Sequence, residues 1–154
     1  MNLSRFIFPF LTAFIVTPCY CQNNNDSLKL IFSSDEFSIE ENYIGDWGGH
    51  VNNFTIQRKT DKIRVIWKNP EMLNNGKDLD VYITGPELKS LEKIFLKCSD
   101  RIVRSDDKST EHIIYSFRTG KTCYVIDDHF TMECHEEFRA WKEMLEIKGQ
   151  YNKD

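Results

Sequence analysis

Long apolar runs are missing from the 154-residue sequence, since none reaches the roughly 18 residues that a membrane-spanning helix needs. The longest apolar stretch, residues 6–16, follows Arg5, which is the single charged residue within residues 1–21. This length is typical of a signal-peptide core. Cys19 and Cys21 occupy the two small-residue positions of a cleavage site, and the following residues are polar. We therefore predict a signal peptide over 1–21 and export of the chain.

A lipidated N-terminal cysteine is the alternative to a cleaved signal peptide. The sequence disfavours it, because Pro18 precedes Cys19 and Tyr20 precedes Cys21, and neither preceding residue is small. We expect neither a lipid anchor nor a membrane span. Signal peptides that end just before a glutamine resemble those of exported proteins of Gram-negative bacteria, which favours a periplasmic or extracellular location.

Basic charge is also scarce, with 20 Lys and Arg residues against 24 Asp and Glu residues. The signal peptide contains an arginine and no acid, so the mature chain would be more acidic still. Nucleic-acid binding requires a basic face, and anionic membrane surfaces attract basic segments. We therefore expect the protein to bind neither nucleic acid nor an anionic membrane surface. We expect its partner to be an unknown protein or a small-molecule ligand.

Recognised catalytic motifs are absent. The sequence contains no HExxH, CxxC or Gly-x-Ser-x-Gly pattern and no dinucleotide-binding fingerprint. We predict no catalytic residue, no metal and no cofactor. The sequence favours a small exported binding or interaction domain without enzymatic activity.

The pattern of apolar residues predicts an α+β fold. We expect strands over 28–33 and 37–40, a hairpin over 54–68 and a strand over 79–84. With a turn at Thr60-Asp61, this hairpin would place Phe54 opposite Trp67 and Ile56 opposite Val65.

The second half of the sequence predicts a helix, a hairpin and a final helix. Thr84 and Glu87 form a capping box before an apolar stripe that ends at Cys98. The hairpin would turn at Thr119-Gly120, and the final helix would end before a frayed tail at 149–154. Residues 22–148 would thus form one domain, an antiparallel sheet of five to seven strands with two helices on one face.

Three cysteines remain after removal of the signal peptide. Cys98 would end the first helix and Cys134 would begin the last one, at the same end of the helical layer. We therefore predict a Cys98–Cys134 disulfide, which is the kind of bond that persists in exported proteins. Cys123 lies close to the predicted hairpin turn at the opposite end, so the simplest count leaves it as a free thiol.

Histidines and acids around the last strand form a candidate polar or metal site. The predicted register places His112 opposite Asp127, and His129 and His135 are near in sequence. Zinc is often bound by histidine, and a histidine beside an acid can act as a base in hydrolysis. The alternative is structural, because acids suit the start of a helix and a cross-strand His–Asp pair is ordinary.

A glycine-rich loop offers a second candidate site. Asp46, Trp47 and His50 lie among glycines, and loops often carry binding residues. These three residues could contact a ligand or a partner protein. The alternative is that Trp47 covers the open end of the sheet.

Overall fold

The structure is a computed structural model, and it describes residues 25–45, 49–68, 78–101, 112–128 and 133–151. The predicted signal peptide therefore lies outside the described residues. The described elements, in chain order, are α1 (Asn25–Ser33), β1 (Glu36–Ile44), β2 (His50–Lys59), β3 (Lys62–Lys68), β4 (Leu79–Ile83), α2 (Gly85–Arg101), β5 (His112–Thr119), β6 (Thr122–Asp128) and α3 (Glu133–Tyr151).

The strands form one antiparallel six-stranded sheet in the order β4-β3-β2-β1-β5-β6. The predicted α+β class and the predicted number of strands are confirmed. Alternate strand residues point to one side, where the three helices cover them. We call this side the helix face and the other side the open face. Phenylalanines from all three helices contact phenylalanines of the helix face; the contacts are Phe32–Phe37, Phe95–Phe117 and Phe138–Phe54.

The number of described helices differs from the prediction, because residues 28–33 belong to a helix rather than a strand. Leu28, Ile31 and Phe32 are buried, whereas Leu30 is 56% exposed. A strand would bury every second residue, so this spacing is helical. The segment is short and rich in apolar residues, which makes its two possible periods hard to separate from the sequence.

The first hairpin follows its predicted register, and the second is displaced by two positions. Phe54 pairs with Trp67 in the first, as predicted. In the second, Tyr115 pairs with Ile126, because the turn is Gly120-Lys121 rather than Thr119-Gly120. Gly120 has a φ of 50°, in the left-handed region that glycine adopts at no steric cost. A displacement by two residues leaves every side chain on its predicted face.

The two long helices begin as the sequence indicates. The predicted capping box is present: the Thr84 amide donates to Glu87 Oε2 at 2.7 Å, and the Glu87 amide donates to Thr84 Oγ1 at 3.4 Å. The last helix extends to Tyr151, beyond the predicted boundary at 148. Gly149 lies within it and faces Leu79 of β4. In the described part of the chain, no helix combines the length and the apolarity needed to cross a membrane.

The two ends of the sheet differ. At one end, β2 joins β3 and β5 joins β6 through two-residue turns. At the other end, β1, β3 and β6 finish while β2, β4 and β5 begin, with Ile44 opposite His112. We call this second end the loop end, because four connections leave the described strands and helices there; they comprise residues 45–49, 69–78, 102–111 and 129–132.

The close approach of α3 to β4 leads to a first prediction. Replacing a helical glycine with alanine normally stabilises a protein by about 1 kcal/mol. A Cβ atom on Gly149 would lie 2.3 Å from Leu79 Cδ1, and Leu79 is buried. We expect Gly149→Ala to lower the free energy of unfolding in urea by about 1–2 kcal/mol, as overpacking does.

Gly85→Ala is the matched control, because nothing lies within 4 Å of a Cβ atom at Gly85. Its free energy of unfolding should stay within about 0.5 kcal/mol of the parent value. A Gly149→Ala protein more stable than the parent would contradict the close contact between α3 and β4.

Candidate functional site

The sheet separates the histidines that the sequence groups together. His112 Nδ1 lies 3.0 Å from Asp127 Oδ1 on the open face, so the predicted contact is present. The two residues are diagonal neighbours rather than direct cross-strand partners, because of the displaced register. His135 lies on α3, beyond the helix face, where its Nδ1 is 3.6 Å from Glu41 Oε1. His129 lies outside the described residues. His112 and His135 therefore do not converge on one point.

Among the residues that the structure describes, no three or more His, Cys, Asp or Glu side chains are grouped as the ligands of one ion would be. In the second candidate site, Asp46 and Trp47 lie outside the described residues. His50 stacks on Tyr43, with ring centroids 5.3 Å apart and an interplanar angle of 14°.

The predicted disulfide joins α2 to α3. Cys98 and Cys134 are bonded, with their Cα atoms 5.8 Å apart and 36 positions apart in sequence. Closure of a loop of this size stabilises a protein by about 3–4 kcal/mol on the chain-entropy model. Both sulfurs are committed to the bond, so neither residue offers a thiolate nucleophile.

Cys123 differs from the prediction. It is disulfide-bonded and 3% exposed, and its partner lies outside the described residues. The prediction of a free thiol at Cys123 is therefore wrong. That prediction rested on the odd count of three cysteines that remain after removal of residues 1–21.

A buried polar cluster that the sequence analysis missed lies near the loop end, between the sheet and α3. Glu41 of β1 is 1% exposed, and Lys142 Nζ contacts both of its carboxylate oxygens, at 2.9 and 2.7 Å. Asn52 Nδ2 donates to Glu41 Oε2 at 2.9 Å, and Trp67 Nε1 donates to Asn52 Oδ1 at 3.1 Å. We call these residues, together with His135, the Glu41 cluster.

Electrostatics within the Glu41 cluster favour the charged carboxylate. Burial raises the pKa of Glu41, but His135, Lys142 and Asn52 together outweigh burial and hold the pKa below its ordinary value. The ammonium of Lys142 neutralises the carboxylate at close range. A buried ion pair whose remaining oxygen contacts are satisfied can be retained, whereas an unpaired buried charge is very costly.

Tyr115 is a buried neighbour of the Glu41 cluster and pairs with Glu41 across β1 and β5. Among the described residues, its hydroxyl has no hydrogen-bond partner. Burial, reinforced by the carboxylates of Glu41 and Asp128, raises the pKa of Tyr115 far above its ordinary range. The phenol therefore stays protonated at all physiological pH values.

The Glu41 cluster has a structural role, because its contacts hold β1 and β2 against α3. Lys142 is paired with the carboxylate as an ammonium, and an ammonium has no free electron pair to act as a nucleophile. The carboxylate is held charged by several donors, so it is a poor proton acceptor near neutral pH. Glu41 follows Phe37 and Ile39 at every second position of β1, so all three side chains point to the helix face. This alternation is the sequence signal for the burial of Glu41.

Removing the ammonium from the Glu41 cluster leads to a second prediction. Lys142→Met keeps most of the side-chain volume but leaves Glu41 buried without its counter-charge. We expect the free energy of unfolding in urea to fall by about 3–5 kcal/mol, as for other broken buried pairs. Lys97→Met is the matched control, because Lys97 pairs with Glu137 at the surface and should contribute under about 1 kcal/mol. Equal losses in the two variants would contradict a buried ion pair.

Acidification provides a third prediction. The pKa of Glu41 is lower in the folded protein than its ordinary value of 4.5. Its stabilising contribution is therefore fully present above that value and is lost as the pH falls through the folded pKa. We expect the wild-type free energy of unfolding to fall more steeply on acidification below about pH 4.5 than that of Glu41→Gln. Glu137→Gln, at a partly exposed position, should keep the wild-type slope.

No protein-family model, no curated protein and no solved structure matches this chain. The functional evidence is therefore the geometry of the fold, the disulfide-bonded cysteines and the side chains at the loop end.

Proposed function

We propose that the chain is an exported interaction domain without enzymatic activity, and that it binds a partner protein through the open face at the loop end. The observation that carries this proposal is a pair of apolar side chains. Ile44 and Val51 are each 38% exposed. Exposed apolar side chains that cluster on one surface are typical of protein interaction sites.

The register places these side chains beside one another. Val51 is opposite Asn42 of β1, and Ile44 follows two positions later on the same face. Ile114 is opposite Asn42 on the other side and is partly buried. Three neighbouring strands thus contribute to one apolar surface, which we call the loop-end patch (Ile44, Val51 and Ile114).

Polar groups border the loop-end patch. His112 is the direct partner of Ile44 across β1 and β5, and it contacts Asp127 on β6. An apolar centre with a polar rim is the usual composition of a protein–protein interface. On the opposite side of the same strands, the Glu41 cluster fixes β1 and β2 to α3. The loop-end patch therefore rests on a rigid support, which limits the entropy lost on binding.

Export is part of this proposal. Cys98, Cys123 and Cys134 are all disulfide-bonded. Disulfides persist in oxidising compartments and are rare in reducing ones. This chemistry supports the location that the N-terminal sequence predicts, outside the cytoplasm.

A metal-dependent or hydrolytic enzyme is the second candidate function. Asp127 contacts His112, and an acid that orients a histidine forms two of the three parts of a hydrolytic triad. The remaining part, a nucleophile or a metal, would have to come from the loop end. His135 cannot contribute to the same point, because the sheet lies between it and His112.

Site-specific photo-crosslinking in the producing cells tests the interaction proposal. A photoreactive residue at Val51 should form one discrete adduct with a partner protein. Ile44→Asp should reduce that adduct at least tenfold while changing the free energy of unfolding by less than about 0.5 kcal/mol, as expected for a surface substitution. The reason is that a charge placed in the loop-end patch must lose its hydration on binding.

The matched control is a photoreactive residue at Tyr82, which is 45% exposed on the same open face but near the two-residue turns. It should give no such adduct. Equal adducts at Val51 and Tyr82, or none at either, would contradict the proposal. Hydrolysis of an ester probe that is lost in His112→Asn and kept in His135→Asn would favour the enzyme instead.

A further inference from the structure

The loop-end patch is arranged symmetrically around one strand. Val51 on β2 and Ile114 on β5 are the direct partners of Asn42, on opposite sides of β1. Ile44 lies on β1 itself, two positions nearer the loop end. The patch thus has one apolar side chain on its central strand and one on each neighbouring strand. A two-fold axis along β1 exchanges the two neighbouring strands.

Such an axis makes the loop-end patch complementary to itself. If the axis lies between two facing sheets and runs along β1, then β2 of one copy faces β5 of the other. Val51 of each copy meets Ile114 of the other copy, and the two Ile44 side chains meet on the axis. In an isologous contact of this kind the same surface serves on both copies, so each apolar pair forms twice.

The charges that border the loop-end patch have opposite signs on its two sides. Lys68 is exposed on β3, and the Asp127 side chain is 42% exposed on β6. β3 and β6 lie two strands from β1 on opposite sides, which is about 10 Å at ordinary strand spacing. The same two-fold axis therefore places the basic side of each copy against the acidic side of the other.

The strand register determines how closely Lys68 and Asp127 approach across the axis. Lys68 lies in the same cross-strand row as Glu40, and Asp127 lies in the row of Asn42, two positions nearer the loop end. The offset along the strands is about 7 Å, which an extended lysine side chain spans. Asp127 also contacts His112, which holds the carboxylate at the rim of the patch. Complementary charges of this kind fix the register of an interface.

We propose that the partner of the loop-end patch is a second copy of this chain, and that two copies form a two-fold symmetric dimer. In this dimer Val51 meets Ile114 and Lys68 meets Asp127. This inference rests on the proposed function, because it names the partner that binds at the same surface. An interface at one end of a sheet is small, and small interfaces are typical of weak, concentration-dependent association.

Glu40 limits the extent of the dimer contact. It lies on the open face of β1, one row farther from the loop end than Asn42. The two Glu40 carboxylates lie on the axis and oppose each other, and like charges across an interface are unfavourable. The two sheets therefore meet at the loop end and diverge towards the two-residue turns.

Sedimentation velocity over a series of concentrations tests the dimer, with the exported protein purified with its disulfides intact. We expect a concentration-dependent shift from one chain to two. Lys68→Glu and Asp127→Lys should each weaken dimerisation about tenfold, because like charges then face each other across the axis. An equimolar mixture of these two variants should dimerise about as tightly as the wild type. In the mixed dimer one rim pair keeps its charges and the other exchanges them, so both pairs attract.

Lys62→Glu is the matched control, because Lys62 is exposed on the same strand and face as Lys68 but lies beside the turn. It should leave dimerisation unchanged. If Asp127→Lys does not fold after loss of its contact with His112, the comparison of Lys68→Glu with Lys62→Glu decides the question. A protein that is monomeric at every concentration, equal effects of Lys68→Glu and Lys62→Glu, or a mixture no tighter than the single variants would overturn the dimer.

Photo-crosslinking at Val51 in the producing cells separates failure of the dimer from failure of the proposed function. An adduct with the mass of two chains, linked to the segment that contains Ile114, supports the dimer. An adduct with a different protein, and none with a second copy, overturns the dimer but retains the interaction surface. Absence of any adduct at Val51 overturns both.

Discussion

Contact between Phe95 and Phe138 holds α2 and α3 together on the sheet. Their ring centroids are 5.1 Å apart, and both side chains are fully buried. Phe95 also contacts Phe117 of β5, and Phe138 also contacts Phe54 of β2. The sheet has one apolar face that must be covered, and these two rings tie α2 and α3 to each other and to its central strands. Aromatic pairs of this kind add about 0.5–1.5 kcal/mol each beyond the burial of their area.

The Glu41 cluster adds a directional constraint to this apolar packing. Apolar contacts tolerate small displacements of a helix, whereas the contacts of Lys142 with both oxygens of Glu41 require one position of α3. The cluster lies near the loop end, on the opposite side of the strands that present Ile44 and Val51. Near the loop end, a charged pair is therefore buried on the helix face, and apolar side chains are exposed on the open face.

The elements that sequence reasoning predicts well are those whose signals are local and repeated. The hairpin with Phe54 opposite Trp67 and the capping box of α2 depend on alternation and on residues three positions apart, and both are present. The short segment 28–33 is ambiguous, because a few apolar residues fit a strand and a helix alike. The second hairpin turn depends on which of its residues adopts a positive φ. The sequence predicts Gly120 as the second residue of the turn, whereas in the structure it is the first.

The candidate site was less predictable than the fold, for a physical reason. A cross-strand contact such as His112–Asp127 follows approximately from strand pairing. The ion pair of Glu41 and Lys142 joins residues 101 positions apart, and it depends on the rotation of a helix about its axis. Clustering of histidines in sequence was a poor guide, because His112 lies on the open face whereas His135 lies on α3, on the other side of the sheet. The alternation of strand residues predicts that Glu41 is buried, but it does not predict which residue pairs with it.

The Cys98–Cys134 disulfide has a consequence for how the protein responds to proteolysis. The bond encloses β5, β6 and the connections on either side of them in a covalent ring. If a protease cuts the backbone once within that ring, the two resulting pieces stay joined through the sulfurs. The helices and the central strands would then remain together, held by the same aromatic contacts. A single cleavage between Cys98 and Cys134 therefore produces a nicked protein rather than two separate fragments.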